Sequence, residues 1–498
     1  MAPPPNQAGA ISGASAHPLT RVKVGAPGIG YNIPVQSPAI AFNDPVATAR
    51  PVVAETGAAR LWFLFAIGSL VLAGLLSLTL VVGRLPGMGW LFTDPLFFKR
   101  ALVVHVDLAM VVWFQAGTAA FLAFALGAVI PRAVRVVAGL LAFTGVLGLL
   151  AGAVMPGAQP ILANYVPVID HPVFIAGLAC WFAGTGLFFA GALAAPAGGP
   201  GTLPDDALVA LRASAAANLI ALATFVAAWR TTLPGLPAIG YYELLAWGGG
   251  HVLQAANVAM MLGLWLLLLH RWSGRTVVSP GAVRWLLTAL VLPHAVMPFL
   301  ALGGTSDPAY TETATRLMRW TIFPVVLVVL GLGLRHVARH WAQRPAEGQW
   351  RLVGLAGSAT LTVLGFILGS LIRGSSTLVP GHYHCAIGAV TLALMTAAYD
   401  FCAATSAGPA PAQRWRRVQL LCFGCGQAVF GLGFALAGAY GLGRKQYGAE
   451  QHVRSLGEYL GLGVMGLGGL VAVAGGLLFL AVMLRCIGTW RRHSTQPA

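Results

Sequence analysis

The chain has 498 residues, of which 57% are hydrophobic and only 9% charged, well below the roughly 25% charged residues of a soluble globular domain. This composition describes an integral membrane protein and excludes a soluble one. A net charge of +16 would suggest nucleic acid in a soluble chain, but here the basic residues lie in short loops between apolar runs, where they set topology, so nucleic-acid binding is excluded as the main function.

Residues 1–58 are rich in Pro, Ala and Gly, with no helical period and no signal-peptide core, and are expected to form a disordered cytoplasmic tail. Twelve apolar segments follow, near 61–82, 101–126, 136–156, 172–195, 207–229, 241–269, 283–304, 317–336, 351–372, 378–401, 416–441 and 457–485. Each is about long enough to cross a bilayer core about 30 Å thick, and helices satisfy their backbone polar groups within lipid. The predicted fold class is all-α, with one membrane domain over 59–487 and a cytoplasmic tail at 488–498. With the N-terminus inside, the inner side collects 19 of the 30 Lys and Arg and the outer loops 10, with Arg212 inside the fifth segment. Both termini are therefore expected in the cytoplasm, and the membrane is expected to be a bacterial-type inner (cytoplasmic) one. The six cysteines (Cys180, Cys385, Cys402, Cys422, Cys425 and Cys486) lie mostly in apolar segments and read as small hydrophobes, not as a disulfide framework. Cys422 and Cys425 form a CxxC without the second pair that a zinc site would need.

Five of the twelve histidines, His105, His251, His294, His382 and His384, fall inside predicted spans, where an unpartnered polar group is costly. On the topology above all five share one layer in the outer half of the membrane. The run GHYHCAIGAV puts His382 and His384 about 200° apart on a helix, too far round to share one metal. They can ligate separate centres on opposite faces, and planar haems with axial imidazoles are the obvious candidates. A low-spin haem needs a second axial ligand, which His105 in KRALVVHVDLAMVVWF can offer. His251 and His294 suit a non-haem copper or iron facing the open side of the second haem. Any one of these histidines could instead be hydrogen-bonded packing; the HxH pair in this company is the hardest to read that way.

Twelve helices with HYH in the tenth, a histidine early in the second and GGGHVLQ in the sixth resemble subunit I of the haem-copper oxidase superfamily, over roughly 60–485. The resemblance implies that His382 ligates a high-spin haem, that His384 and His105 ligate a low-spin haem, and that His251 binds the distal metal. It also implies that Arg444 and Lys445, in GLGRKQYG after the eleventh helix, hold haem propionates on the outer side, although a plain charged loop reads equally well. The chain departs from the family in helix seven, where LPHAVMP supplies His294 without an adjacent histidine. Four residues after His251, where many oxygen reductases have a tyrosine and well-known nitric oxide reductases a glutamate, it has Ala255. Gln254 is then the nearest polar neighbour of His251, and Glu243, two turns earlier, reads as a proton carrier or as an interfacial carboxylate. Asp107 faces away from His105 and has no assigned role.

No CxxCH motif for a covalent haem occurs, so electrons are expected from a donor subunit or from a cytochrome or cupredoxin. Tyr241 and Tyr242 lie more than two turns from His251 and Tyr310 is expected in a loop, which leaves no tyrosine on that helix near the distal metal; Tyr383 could approach from another helix. Reducing O2 draws an extra electron from such a tyrosine in the family, whereas coupling two NO to N2O needs only two electrons. The expected function is thus a respiratory reductase converting nitric oxide to nitrous oxide. A terminal oxygen reductase is the alternative, and a twelve-helix proton-coupled transporter is a further one. Gaseous substrate is expected to enter from membrane lipid.

Overall fold

A computed structural model describes residues 56–88, 90, 95–196, 203–406, 411–445 and 451–493. Twelve helices are long and apolar enough to cross a membrane, which makes this a multi-pass membrane protein: α1 (Gly57–Val82), α2 (Leu96–Leu126), α3 (Arg132–Val154), α4 (Pro172–Ala194), α5 (Asp205–Thr231), α6 (Ala238–Ser273), α7 (Pro280–Leu302), α8 (Pro308–Gln343), α9 (Gln349–Ser370), α10 (Leu378–Thr405), α11 (Gln413–Ala439) and α12 (Leu456–Trp490). Helix α1 begins at Gly57, and the last helix continues to His493, so both tail boundaries read from the sequence move outward. A helical backbone keeps its hydrogen bonds beyond the apolar run, and composition alone marks only the run. The remainder of the two tails, residues 1–55 and 494–498, lies outside the described residues.

Three helices form the centre. The most apolar stretches of α2, α6 and α10 are 78%, 83% and 83% buried, against 33–50% in the other nine. These three carry His105, His251, His382 and His384, of which His251 is fully buried and the other three are half-buried. Small residues bring the outer helices close, as lipid-embedded packing requires. Along α3, a Cβ added at Gly145, Gly148 or Gly152 would come within 2.5–2.6 Å of the backbone of α4.

Three helices depart from α geometry beside the histidines. There are π turns at Asp107–Val112 in α2 and Met318–Ile322 in α8, and a 3-10 turn at Leu292–Val296 in α7 that contains His294. Pro293 accounts for the last, because it has no N–H to donate and its ring would meet the carbonyl of Ala289 in a regular helix. Between α3 and α4 an antiparallel hairpin pairs β1 (Gln159–Ile161) with β2 (Val168–Asp170), Pro160 opposite Ile169. Its tip, 162–167, reaches α6, where Tyr165 meets Trp247 and His251.

The cysteines do not all behave as isolated hydrophobes. Cys402 of α10 and Cys486 of α12 are joined as a disulfide across a Cα–Cα distance of 6.1 Å, while Cys180, Cys385, Cys422 and Cys425 are free. With the partners 84 positions apart, the sequence offers no local spacing from which to read the pair.

Gly148→Ala should destabilise the protein by about 1–3 kcal/mol, since its new methyl would overlap the Gly177 backbone. Gly68→Ala, which meets nothing within 4 Å, should be neutral or slightly stabilising. Thermal unfolding of the two variants in detergent checks the contrast.

Candidate active site

His105 and His384 lie near enough for their charges to interact across the α2–α10 interface. Nδ1 of His105 is 2.8 Å from the Ala73 carbonyl oxygen of α1. A carbonyl can only accept, so Nδ1 carries the proton and the Nε2 lone pair is left for a ligand. The His384 ring meets Phe430 edge-on at 4.7 Å and lies nearly parallel to Phe434 at 5.8 Å, both on α11. The Arg84 guanidinium sits 5.1 Å from the Phe434 ring centre.

His382, two residues earlier, faces α9 instead. Its Nδ1 donates to the Gly365 carbonyl at 2.7 Å, and a Cβ on Gly369 would come within 2.8 Å of the ring, so α9 needs glycine there to admit the imidazole. The tautomer is the same as that of His105.

His251 and His294 are both fully buried and within electrostatic reach of each other. His251 Nδ1 donates to the Trp247 carbonyl at 2.7 Å, one turn back on α6. Its Nε2 faces the Tyr165 hydroxyl at 2.9 Å and Thr315 Oγ1 at 3.5 Å. His294 is held from the other side: Nε2 is 3.1 Å from Thr321 Oγ1, whose own hydrogen goes to the Leu317 carbonyl at 2.9 Å. Thr321 must then accept from Nε2–H, which leaves His294 Nδ1 as a buried lone pair with no hydrogen-bond partner. That orphaned acceptor fits a metal ligand. Among the described residues no three His, Cys, Asp or Glu side chains cluster as a metal site, so oxygen donors such as Tyr165 and Thr315 are the nearest complement to the two imidazoles. A cavity of about 470 Å3, lined by Trp247, Thr311, Glu312, Thr315, Arg316 and Arg319, opens beside them.

Helix α6 places no tyrosine within a turn of His251, but one stands beside it from an element that the sequence reading did not consider. Tyr165 reaches it from the hairpin tip, not from α6, with a ring-centre separation of 4.3 Å. The sequence did carry a trace of this in the three glycines before His251. A Cβ at Gly248 would strike Tyr310, one at Gly249 Phe225, and one at Gly250 Tyr165, the last at 2.3 Å. Tyr310, expected in a loop, belongs to the first turn of α8, and its hydroxyl accepts from the Gly248 N–H at 2.9 Å.

The remaining candidates divide. Gln254 Oε1 is buried without a hydrogen-bond partner, as are both carboxyl oxygens of Asp107. Glu243 does not stand alone at the interface: it accepts from the Asn164 backbone N–H at 3.1 Å and from the Asn164 side-chain amide. Arg444 donates to the Asn164 side-chain oxygen, and Lys445 Nζ donates to the Leu162 carbonyl at 2.9 Å. Both cations therefore grip the hairpin. Burial and the Glu243 charge push the Tyr165 phenol above its ordinary value, with Arg444 pulling the other way. Burial, then Arg444, pushes the Lys445 ammonium below its own.

No protein-family model matches the chain. It is 29% identical over 346 residues, 68% of this chain and 83% of the other, to a protein of Aquifex aeolicus named only as uncharacterized. It is 25% identical over 492 residues, 85% of this chain and 94% of the other, to an uncharacterized protein of Rickettsia prowazekii. Among solved structures it is similar to a haem-copper terminal oxidase dimer determined by cryo-EM, with a TM-score of 0.63 and 14% identity over 89% of this chain and 84% of that one. At this identity the likeness is one of fold, and the fold is the twelve-helix, all-α one of haem-copper oxidase subunit I.

A raised pKa keeps the proton on Tyr165 at pH 10, where an ordinary tyrosine is half ionised. The ultraviolet phenolate difference between wild type and Tyr165→Phe at that pH should accordingly fall well short of half a tyrosine. A difference of half a residue or more would show Tyr165 to be freely solvated.

Proposed function

We propose that this protein is a membrane-bound respiratory reductase of the haem-copper type. In this reading His105 and His384 hold a low-spin haem, His382 holds a high-spin haem, and His251 with His294 holds a non-haem copper or iron. The observation that carries it is the grouping of the five histidines into two neighbouring pairs and one ring turned to α9, with hydrogen bonds at His105, His382 and His294 that leave a nitrogen lone pair to ligate. The likeness of fold to a haem-copper terminal oxidase supports the same reading.

When bound, the haems and the metal supply gas binding and electron storage. The chain's own residues do the rest. Backbone carbonyls of Ala73, Gly365 and Trp247 fix ring orientation and tautomer at three of the five imidazoles. The Tyr165 hydroxyl stands 2.9 Å from His251 Nε2, the nitrogen that would take the metal, so in the loaded site it would lie beside that metal, placed to deliver a proton and, as an oxidisable phenol, an electron. O2 is therefore favoured as the substrate, because its four-electron reduction needs such a donor, and the argument for NO from a missing tyrosine lapses. Nitric oxide reduction is the second reading, because a haem iron and one non-haem metal would between them hold the two electrons that coupling two NO requires. With the N-terminus inside, the site lies toward the outer face of a cytoplasmic membrane. Electrons then come from a donor subunit, a cytochrome or a cupredoxin on that side, and substrate comes from the lipid.

A pyridine-haemochrome assay should give two haems per chain, and the absence of a Soret band would instead favour a transporter. His105→Ala or His384→Ala should abolish the low-spin spectrum and retain a ligand-binding haem; loss of the high-spin signal would reverse the assignment within the HxH pair. His251→Ala and His294→Ala should lower distal-metal content with both haems retained. Paired O2 and NO electrodes should record faster O2 consumption, and rapid N2O formation with little O2 uptake would move the assignment to nitric oxide reduction.

A further inference from the structure

Tyr165 is the single non-glycine residue with positive φ among the described residues, at 68°. L residues avoid this left-handed region, so it persists where neighbours over-determine it. The neighbours that do so belong to Asn164. Its side-chain amide is engaged at both ends, donating to Glu243 and accepting from Arg444, while its backbone N–H also goes to Glu243. Other bonds steady the base of the finger: Lys445 to the Leu162 carbonyl at 2.9 Å, Tyr242 to Asp170 at 2.7 Å, and Arg100 Nε to the Ala158 carbonyl at 3.0 Å. Glu243 sits two turns before His251 on the same helix, so α6 carries both the grip and the target. Neither Glu243 nor Arg444 is hydrogen-bonded to His251.

We propose that Asn164 is a latch, and that Glu243 and Arg444 are positioning residues that act through it to hold the Tyr165 hydroxyl beside His251. The inference rests on the reading of His251 as part of the reactive site. It gives Glu243 a mechanical duty in place of proton carriage, and it gives Arg444 a contact that a plain charged loop would not make.

The test compares Asn164→Ala, Glu243→Gln and Tyr165→Phe singly and in pairs, in full-length protein purified in detergent. Hydrogen exchange is measured over 159–171 beside turnover of O2 and NO, with exchange in α11 and α12 as the control for intact folding. Asn164→Ala and Glu243→Gln should each deprotect the finger and lower turnover on the order of 100-fold, the scale of a misplaced reacting group. In the Tyr165→Phe background neither should lower turnover further, because the group they position is already gone. Losses that multiply in the double variants, or a finger whose exchange is unchanged, would overturn the latch. Wild-type turnover in Tyr165→Phe with the exchange changes intact would defeat the functional reading while supporting the latch.

Discussion

An imidazole inside a lipid-embedded bundle has two nitrogens to satisfy, and the hydrogen bond made by one decides what the other can do. Three of the five histidines donate Nδ1–H to a backbone carbonyl, and a carbonyl admits no other polarity. His294 reaches the complementary state through Thr321, whose proton is already committed to Leu317. Ring orientation at these positions thus depends on backbone carbonyls, two presented by neighbouring helices and one by the histidine's own helix. Local distortion stands beside two of these positions: the π turn of α8 contains Thr321 and the 3-10 turn of α7 contains His294.

Room for these rings is made mainly by omission. Gly369 leaves a place for His382, and the Gly248–Gly250 run leaves places for Tyr310, Phe225 and Tyr165 along one turn of α6. Helices that would otherwise close on one another are held apart by aromatic and imidazole rings that dock where no Cβ stands. The close α3–α4 packing through glycine shows the opposite use of the same residue, where nothing intervenes.

Much of this was legible in the residues. Apolar runs of about 20 residues marked all twelve spans, and intramembrane histidines stand out because lipid penalises them; the i, i+2 spacing of His382 and His384 gave their opposed faces from helix geometry alone. What was not legible came from segments with no period. Tyr165 lies in PILANYVPVID, a stretch whose meaning depends on a hairpin folding over a helix 86 residues away in sequence. Reading along α6 for a tyrosine therefore found none and missed the one that the hairpin brings. Arg444 and Lys445 were recognisable as cations with a purpose, but a loop carries no trace of what it will grip, and the disulfide partners Cys402 and Cys486 were hidden for the same reason.

Helix α10 carries two of the histidines and is fastened at both ends. Thr377 at its start bonds to the Leu442 and Phe434 carbonyls, and near its far end stand the Arg351–Asp400 ion pair and the Cys402–Cys486 link. Such a helix cannot slide along the membrane normal, so the depth of His384, six residues in from Leu378, is fixed at about 9 Å below the helix start. On the proposed orientation, and with the proposed haem on His384, an electron delivered from outside would cross only a small part of the membrane voltage before it is captured. The electrical work of turnover then falls to the protons: drawn from the same side they would leave the membrane potential nearly untouched, and drawn from the cytoplasm they would charge it, with about 2.3 kcal/mol stored per unit charge moved across each 100 mV.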